Sequence, residues 1–488
     1  MKKIIIFAAA LFLLGFAASS FAIQAEIPAD STAAIAKGGT QVTIGGEMRF
    51  RGVTMQNTSD FDRLTASGGA FGKSQRMTYE GRIRLDVEAK LSPNTKGFIQ
   101  LEAGEPLASI PDSKLTTGGN LGEDMTWGVG SARSYGGTYR LGDQKANEMR
   151  VIQAWIQHQG SGLIGVPSYI KVGHQPVVIG AGVFYSHNLY NDDAIIVGIN
   201  PIKGLDISAL TVKLQENLTN SADDQDLYAF VINYAINKDI SVGADFSMLD
   251  SQNGSAWGAS SGFSQTKSMW SHLYNIGLNA KANIQGLKLY GTADFQAGGD
   301  HNNTSGSNWK YRGYALTAGA AYTFAPVTLS LDLGYGSGDS ATDNKIGTFL
   351  TSQSDVVHYT FVYDYMTVNA AGNIAGGLQN TMYVKLGAGA DVMKGLNIGG
   401  SLTLLNAAKS AYGGELVTTN AGSPVSHKYI GTELDTTLTY QIDKGLKYFV
   451  EGGYLFAGRF FKDVTAASRG TDRYSDPWAI RHGIQLNF

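Results

Sequence analysis

The chain of 488 residues has no cysteine, only 10 prolines and 16% charged residues. Without cysteine there is no disulfide framework, no thiolate zinc site, no c-type haem attachment and no cysteine nucleophile. Charge is scarce against the roughly 25% of ordinary soluble domains. The 38 basic residues stand against 41 acidic ones, so the chain has no electrostatic footprint for nucleic acid. After residue 22 no apolar run reaches the roughly 18 residues of a membrane-spanning helix. What is abundant is glycine, with 62 residues, well above the ordinary share of about 7%.

The N-terminus reads as an export signal. Lys2 and Lys3 precede an apolar stretch from Ile4 to Ala18, and Ser20-Phe21-Ala22 supplies the small residues a signal peptidase needs. Residues 1–22 are therefore expected to be cleaved off, 23–40 to form a short periplasmic lead and 41–488 to form the folded body.

That body alternates with period two, the pattern of strands with one apolar and one polar face. Met77, Tyr79, Ile83, Leu85, Val87, Ala89 and Leu91 interleave with Thr78, Glu80, Arg82, Arg84, Asp86, Glu88 and Lys90. The second set cannot meet lipid, whereas the first can. Strands are expected at 41–55, 75–91, 96–105, 147–159, 168–178, 192–201, 205–216, 226–236, 239–250, 268–283, 287–298, 309–323, 327–338, 379–393, 396–408, 428–442, 446–460 and 478–488.

Short turns such as Ser92-Pro93-Asn94-Thr95, Ile284-Gln285-Gly286 and Lys394-Gly395 alternate with long polar connections, of which 106–146 and 339–378 are the longest. Short turns on one side, long loops on the other and an even strand count predict an all-β fold: a transmembrane antiparallel β-barrel of eighteen strands, with the long loops extracellular. Such a barrel leaves no strand edge in lipid. Residues 355–366 alternate well enough to be a strand, but a nineteenth would put the termini on opposite sides, so they are assigned to the loop. Both long loops keep large aromatics, among them Trp127, Tyr135 and Tyr139 in the first and Tyr359, Phe361, Tyr363 and Tyr365 in the second. At least one of the two is expected to pack into the barrel mouth.

Aromatics such as Tyr322, Phe324, Tyr440, Tyr454 and Phe456 fall toward strand ends on the outward face, where headgroup-level girdles belong. The last strand alternates Trp478, Ile480, His482, Ile484, Leu486 and Phe488 and ends on an aromatic. Phe488 looks like the terminal signature of proteins delivered to the outer-membrane assembly machinery, which together with outer-membrane lipid is an expected partner.

Three blocks resemble the alginate-export-type outer-membrane barrels. The first is Gly45-Gly46-Glu47-Met48-Arg49-Phe50-Arg51-Gly52 with Gly81 to Val87. The second is Gln153-Ala154-Trp155-Ile156 with Ile170-Lys171-Val172-Gly173-His174-Gln175-Pro176. The third is Ile430-Gly431-Thr432-Glu433-Leu434-Asp435 with Leu438-Thr439-Tyr440. His174 stands where that family commonly has arginine. The resemblance implies a pore in the outer membrane of a Gram-negative bacterium and does not carry over a substrate.

Alternation also assigns the interior. Pore-lining cations are expected at Arg49, Arg51, Arg82, Arg84, Lys90, Lys171, Lys213, Lys281, Lys288, Lys385, Lys447 and Arg481, and anions at Glu47, Glu80, Asp86, Glu88, Glu102, Asp245, Asp294, Asp332, Asp391, Glu433, Asp435 and Glu451. A conduit for a polyanion should be biased toward positive charge, and these sets are balanced. The four arginines of the first two strands either form a positive patch or are used up in cross-strand pairs with Glu47, Glu80, Asp86 and Glu88. The histidines lack metal spacing, and the Asp-rich stretches at 191–193, 223–226 and 339–344 have no EF-hand layout, so neither a metal nor a cofactor is expected. The expected function is passive diffusion of small hydrophilic solutes or ions through a channel, without enzymatic activity. The alternatives are an export conduit for an anionic polysaccharide such as alginate, and a barrel sheath around a partner protein.

Overall fold

The computed structural model describes residues 40–58, 75–104, 125–127, 149–162, 165–215, 224–251, 269–302, 308–339, 345–354, 359–366, 377–410, 426–463 and 474–488. The expected signal, the lead up to residue 39, most of loop 106–146, residue 223 of one Asp-rich stretch, and residues 340–344, 355–358 and 367–376 of loop 339–378 lie outside these residues. Eighteen antiparallel strands form the wall: β1 (Gln41–Gln56), β2 (Gln75–Ser92), β3 (Thr95–Gly104), β4 (Met149–Gly160), β5 (Ser168–Val178), β6 (Tyr185–Ile199), β7 (Leu205–Gln215), β8 (Gln225–Ala235), β9 (Ile240–Ser251), β10 (Met269–Ile284), β11 (Leu287–Asn302), β12 (Tyr314–Phe324), β13 (Val327–Gly336), β14 (Thr381–Met393), β15 (Leu396–Ala407), β16 (Tyr429–Asp443), β17 (Leu446–Ala457) and β18 (Trp478–Asn487).

Each strand pairs with its sequence neighbour, and β1 pairs with β18 from Glu47↔Asn487 to Gln56↔Trp478. Exchanged main-chain bonds between Gly46 and Phe488, at 2.9 and 3.1 Å, finish this seam. Closure satisfies every strand edge inside the sheet. The short connections are tight. Between β10 and β11 both Gln285 and Gly286 have positive φ, the primed geometry whose twist matches that of the flanking strands.

Outward side chains form an apolar surface. On β10 the exposed Ile276, Leu278 and Ile284 alternate with the buried Leu273, Asn275 and inward Gly277. On β5 to β10 this surface ends in a row of polar groups directly opposite one another across strands: His174, Asp193, Lys213, Asp226, Asp250 and His272. His174 meets Asp193 at 3.0 Å, Lys213 meets Asp226 at 3.1 Å and His272 meets Asp250 at 2.9 Å. Lys213 therefore points outward, contrary to its expected place in the interior. It alternates with Val212, which is fully buried on the inner face, and its outward position is stabilised by Asp224 and Asp226.

Two connections enter the barrel. The first is the upper β5–β6 hairpin, where Ile179, Val183, Phe184 and Tyr185 join one buried cluster with the inward Val212, Leu227, Leu249 and Leu273 of β7 to β10. Gly180 has φ of 58°, and a Cβ there would run into the Asp245 carboxylate on β9. Asn191, at φ 64°, lies on β6 just before the strand takes up its pairing with β7 at Asp193. β6 thus starts at Tyr185, seven residues before the expected 192. The second connection is the β13–β14 loop. The expected strand 309–323 is broken at Arg312-Gly313, where Arg312 donates its N–H to the Ile346 carbonyl of this loop and a side chain at Gly313 would collide with the loop main chain at Thr348 and Phe349. The stretch Phe361–Met366 is a helical turn of the π type, not a nineteenth strand.

Candidate functional site

The β13–β14 loop is held by backbone pairing at several points. Lys345–Ile346 run parallel to Lys310–Tyr311, and Phe349 donates its N–H to the Ser337 carbonyl at 2.9 Å. The Gln296 side chain on β11 completes a two-way pair with Leu350, donating to its carbonyl at 2.6 Å and accepting from its N–H at 2.9 Å. Gln353–Ser354 then add to Tyr185–Ser186, so the loop joins the infolded β5–β6 hairpin. Buried backbone groups need such partners, and side chains of the wall supply those that the sheet does not.

Past that point the loop meets the other side of the interior. Tyr359 stacks on Tyr383 of β14, with ring centroids 4.5 Å apart and 7° between planes. Val362 and Tyr363 donate their N–H groups to the carboxylate of Glu433 on β16. The guanidinium of Arg481 lies 5.2 Å from the Phe361 ring and 4.8 Å from that of Tyr365, and it is ion-paired with Glu451 of β17. Phe349, Leu350, Val362 and Tyr363 are all buried. The loop and the β5–β6 hairpin together fill the upper part of the barrel beside β6 to β14 with apolar packing, and the turn at 361–366 seats on β16 to β18.

The expected charged residues gather on β1 to β5, and β18 joins this wall to the inserted turn through Arg481. Glu47 takes Arg82 through Nε at 2.9 Å and Nη2 at 2.5 Å, and accepts from Gln485 at 3.0 Å. Arg84 donates to Glu102 of β3 at 2.6 Å, an interior carboxylate that was not among the four expected partners. Asp86 accepts from Gln100 at 2.8 Å, and Glu88 takes Lys96 at 3.1 Å. Neither is an arginine partner, so the simple pairing of four arginines with four neighbouring carboxylates does not occur. Arg49 faces Arg82 directly in the β1–β2 register and Arg51 faces Glu80; nothing is described of the Glu80 side chain. Lys385 lies opposite Asp332. Asp435 accepts from Ser401 at 3.4 Å. Lys171 sits over the Trp155 ring at 4.1 Å.

The arrangement makes a charged wall, rich in bidentate-capable arginine, that continues through Arg481 to the aromatic edge formed by Phe361 and Tyr365. Sequence reading placed Glu102 in the interior but missed the role of Trp155 and the whole 179–185 segment. The last had a usable signal: Val177-Val178-Ile179-Gly180-Ala181-Gly182-Val183-Phe184 is an apolar run without alternation, which a solvated loop has no reason to keep.

Among solved structures the chain is similar to OccAB2 of Acinetobacter baumannii, with 10% identity, a TM-score of 0.52, and coverage of 91% of this chain and 98% of that one. OccK9 (OpdG) of Pseudomonas aeruginosa gives 12% identity and 0.52, and OccK1 (OpdK) of the same organism 14% and 0.51, both with the same coverage. At such identities the likeness speaks to the fold. No curated protein matches the chain by sequence. A family model described as "Alginate export" matches residues 128–474. This stretch takes in the second and third of the blocks noted above and leaves out the first. On that match the chain belongs to the alginate-export family.

Proposed function

We propose that the protein is an outer-membrane channel through which small hydrophilic solutes or ions diffuse passively, and not an enzyme. The observation that carries this reading is a closed barrel whose interior is narrowed by two infolded segments and lined by charged side chains on β1 to β5. Water-filled interiors with polar walls conduct, and the sign and spacing of the wall charges set selectivity. Arginines on β1 and β2 draw anions, while Glu47, Glu102, Glu433, Asp435 and Glu451 temper that bias. Modest anion preference is the result.

The second reading, export of an anionic polysaccharide, is favoured by the family match. The carboxylates that share the interior with the arginines speak against it, because a passage for a polyanion gains nothing from them. A sheath around a partner protein would need an open interior, and the infolded segments occupy it. Residues 1–22 act as a cleaved signal and 23–40 as a periplasmic lead. The long loops face outside the cell, and Phe488 serves recognition by the assembly machinery. Single-channel recording in a salt gradient tests the reading: steady ohmic conductance with a small anion-selective reversal potential supports it, while near-exclusive anion selectivity supports the exporter.

A further inference from the structure

At the short-turn end of the interior three lysines fall in four directly opposed positions. Lys90 on β2 faces Lys96 on β3, Lys96 faces Gln157 on β4, and Gln157 faces Lys171 on β5. Like charges opposite one another destabilise a sheet, and nothing about strand pairing asks for this row. One layer further in stand Glu88, Phe98, Trp155 and Gly173. Glu88 takes Lys96 at 3.1 Å. Phe98 and Trp155 stack at 5.3 Å. Gly173 has no side chain, since a Cβ there would strike the main chain of Ala154 and Trp155, and the Lys171 ammonium lies 4.1 Å from the centre of the Trp155 ring. Lys96 approaches the same ring at 5.4 Å.

The manner in which Lys171 is held matters. A lysine tied to a carboxylate has its donors engaged, but one held by the face of an indole is oriented by the ring quadrupole and leaves its N–H donors open to a third party. Among the described residues Lys171 has no carboxylate partner, and Lys90 has none either. Together with Lys96 they place more positive than negative charge on this patch, since Glu88 is the one carboxylate in contact. Adjacent strands are about 4.8 Å apart, so the row spreads its ammonium groups over a width that one carboxylate cannot span and two can.

We propose that this row is an anion-binding site at the short-turn mouth, separate from the arginine wall deeper in the barrel, and that it takes short dicarboxylates. Trp155 is its positioning residue. The proposal rests on the channel reading only in assigning the site to the path of a permeating solute.

Succinate, with propionate as the singly charged control, is the probe. Titration of each into the detergent-solubilised barrel by calorimetry reads binding without any need for conduction, and planar-bilayer recording reads block of the chloride current. Succinate should bind and block at lower concentration than propionate. Lys90→Gln combined with Lys171→Gln should weaken it about tenfold or more, the loss expected for charge-assisted hydrogen bonds. Trp155→Leu should weaken it without removing any charge, and Lys238→Gln, on a different turn at the same end, should leave it unchanged. Should the double variant fail to fold, Lys90→Gln alone carries the test. Equal affinity in wild type and lysine variants, or equal affinity for the two acids, overturns the site. A barrel that binds succinate through these lysines yet passes no current overturns the channel reading and leaves the site standing; one that conducts without binding succinate does the reverse.

Discussion

The main-chain N–H of Tyr363 reaches the carboxylate of Glu433 at 2.9 Å, a contact between a loop and a wall strand 70 residues apart in sequence. The adjacent N–H of Val362 uses the other carboxylate oxygen. A single side chain on β16 thus satisfies two buried main-chain donors of the inserted turn.

Replacing Glu433 by Leu leaves both donors without an acceptor, at a cost of about 1–3 kcal/mol for each buried group. The turn should leave its seat, and single-channel conductance should rise. Glu433→Gln keeps an acceptor and should give a smaller rise. Unchanged conductance in a folded Leu variant would show that the turn is not what limits flow.

Arg82 is engaged by Glu47, and Arg49 lies directly opposite it. Replacing both arginines with Gln strips the wall of two positive charges and leaves Glu47 without its cation. The reversal potential in a salt gradient should move toward cation selectivity, and more so at low ionic strength, since the Debye length shrinks from about 30 Å at 0.01 M to about 3 Å at 1 M. A wild-type reversal potential at every salt concentration would mean that these side chains have no part in permeation.

Gly180 occupies the left-handed region and abuts Asp245. Gly180→Ala should therefore cost about 1–2 kcal/mol from backbone strain alone, with a further penalty from the collision. Thermal unfolding should occur at lower temperature. The mid-strand Gly291→Ala change, where the nearest contact of a Cβ is 3.5 Å, should have little effect. Equal melting of the two variants would count against a tightly packed hairpin.

Beyond the end of β17, Asp463 clasps the chain before β16: it accepts from the N–H groups of Ser426 and His427 at 2.7 and 2.8 Å. Burial pushes the Asp463 carboxyl up, but the bonds from His427 and Ser426 outweigh this and hold it below the usual carboxylate range. A depressed folded value means that the clasp contributes stability above the ordinary aspartate range and loses it as pH falls through the folded value. Hydrogen exchange at Ser426 and His427 should accelerate, beyond the intrinsic pH effect, as the medium is acidified below the normal aspartate range. Asp463→Asn should remove that step; if it persists, another group is responsible.

Where one face meets lipid and the other water, alternation located the wall strands to within a few residues, as in β2, β10 and β14. It failed where a strand is covered on both sides. On β6 the start at Tyr185–Ser186 is covered by the second loop as well as by β5, so the polar–apolar contrast that marks a strand vanishes. Lys213 was misplaced because its inward neighbours Leu210 and Val212 are apolar, packed against the inserted hairpin, which makes the outward lysine look like the lumen side. Of the site, Arg82 and Glu47 were legible as a pair, since both lie on the polar parity of adjacent strands. The seat of Phe361 and Tyr365 on Arg481 was not, because sequence does not say which wall a long loop will reach.

The outward row from His174 to His272 lies at the upper margin of the greasy surface on six consecutive strands and acts as a waterline. Placing a lysine or arginine at the bilayer midplane costs about 2–4 kcal/mol, and the cost falls away toward the interface. Sinking the barrel would drag Lys213 and three aspartates toward hydrocarbon together, and raising it would expose Ile276 and Leu278 to water. The molecule is therefore keyed to one depth along this third of its circumference, and a bilayer of the wrong thickness has to deform or the barrel has to lean.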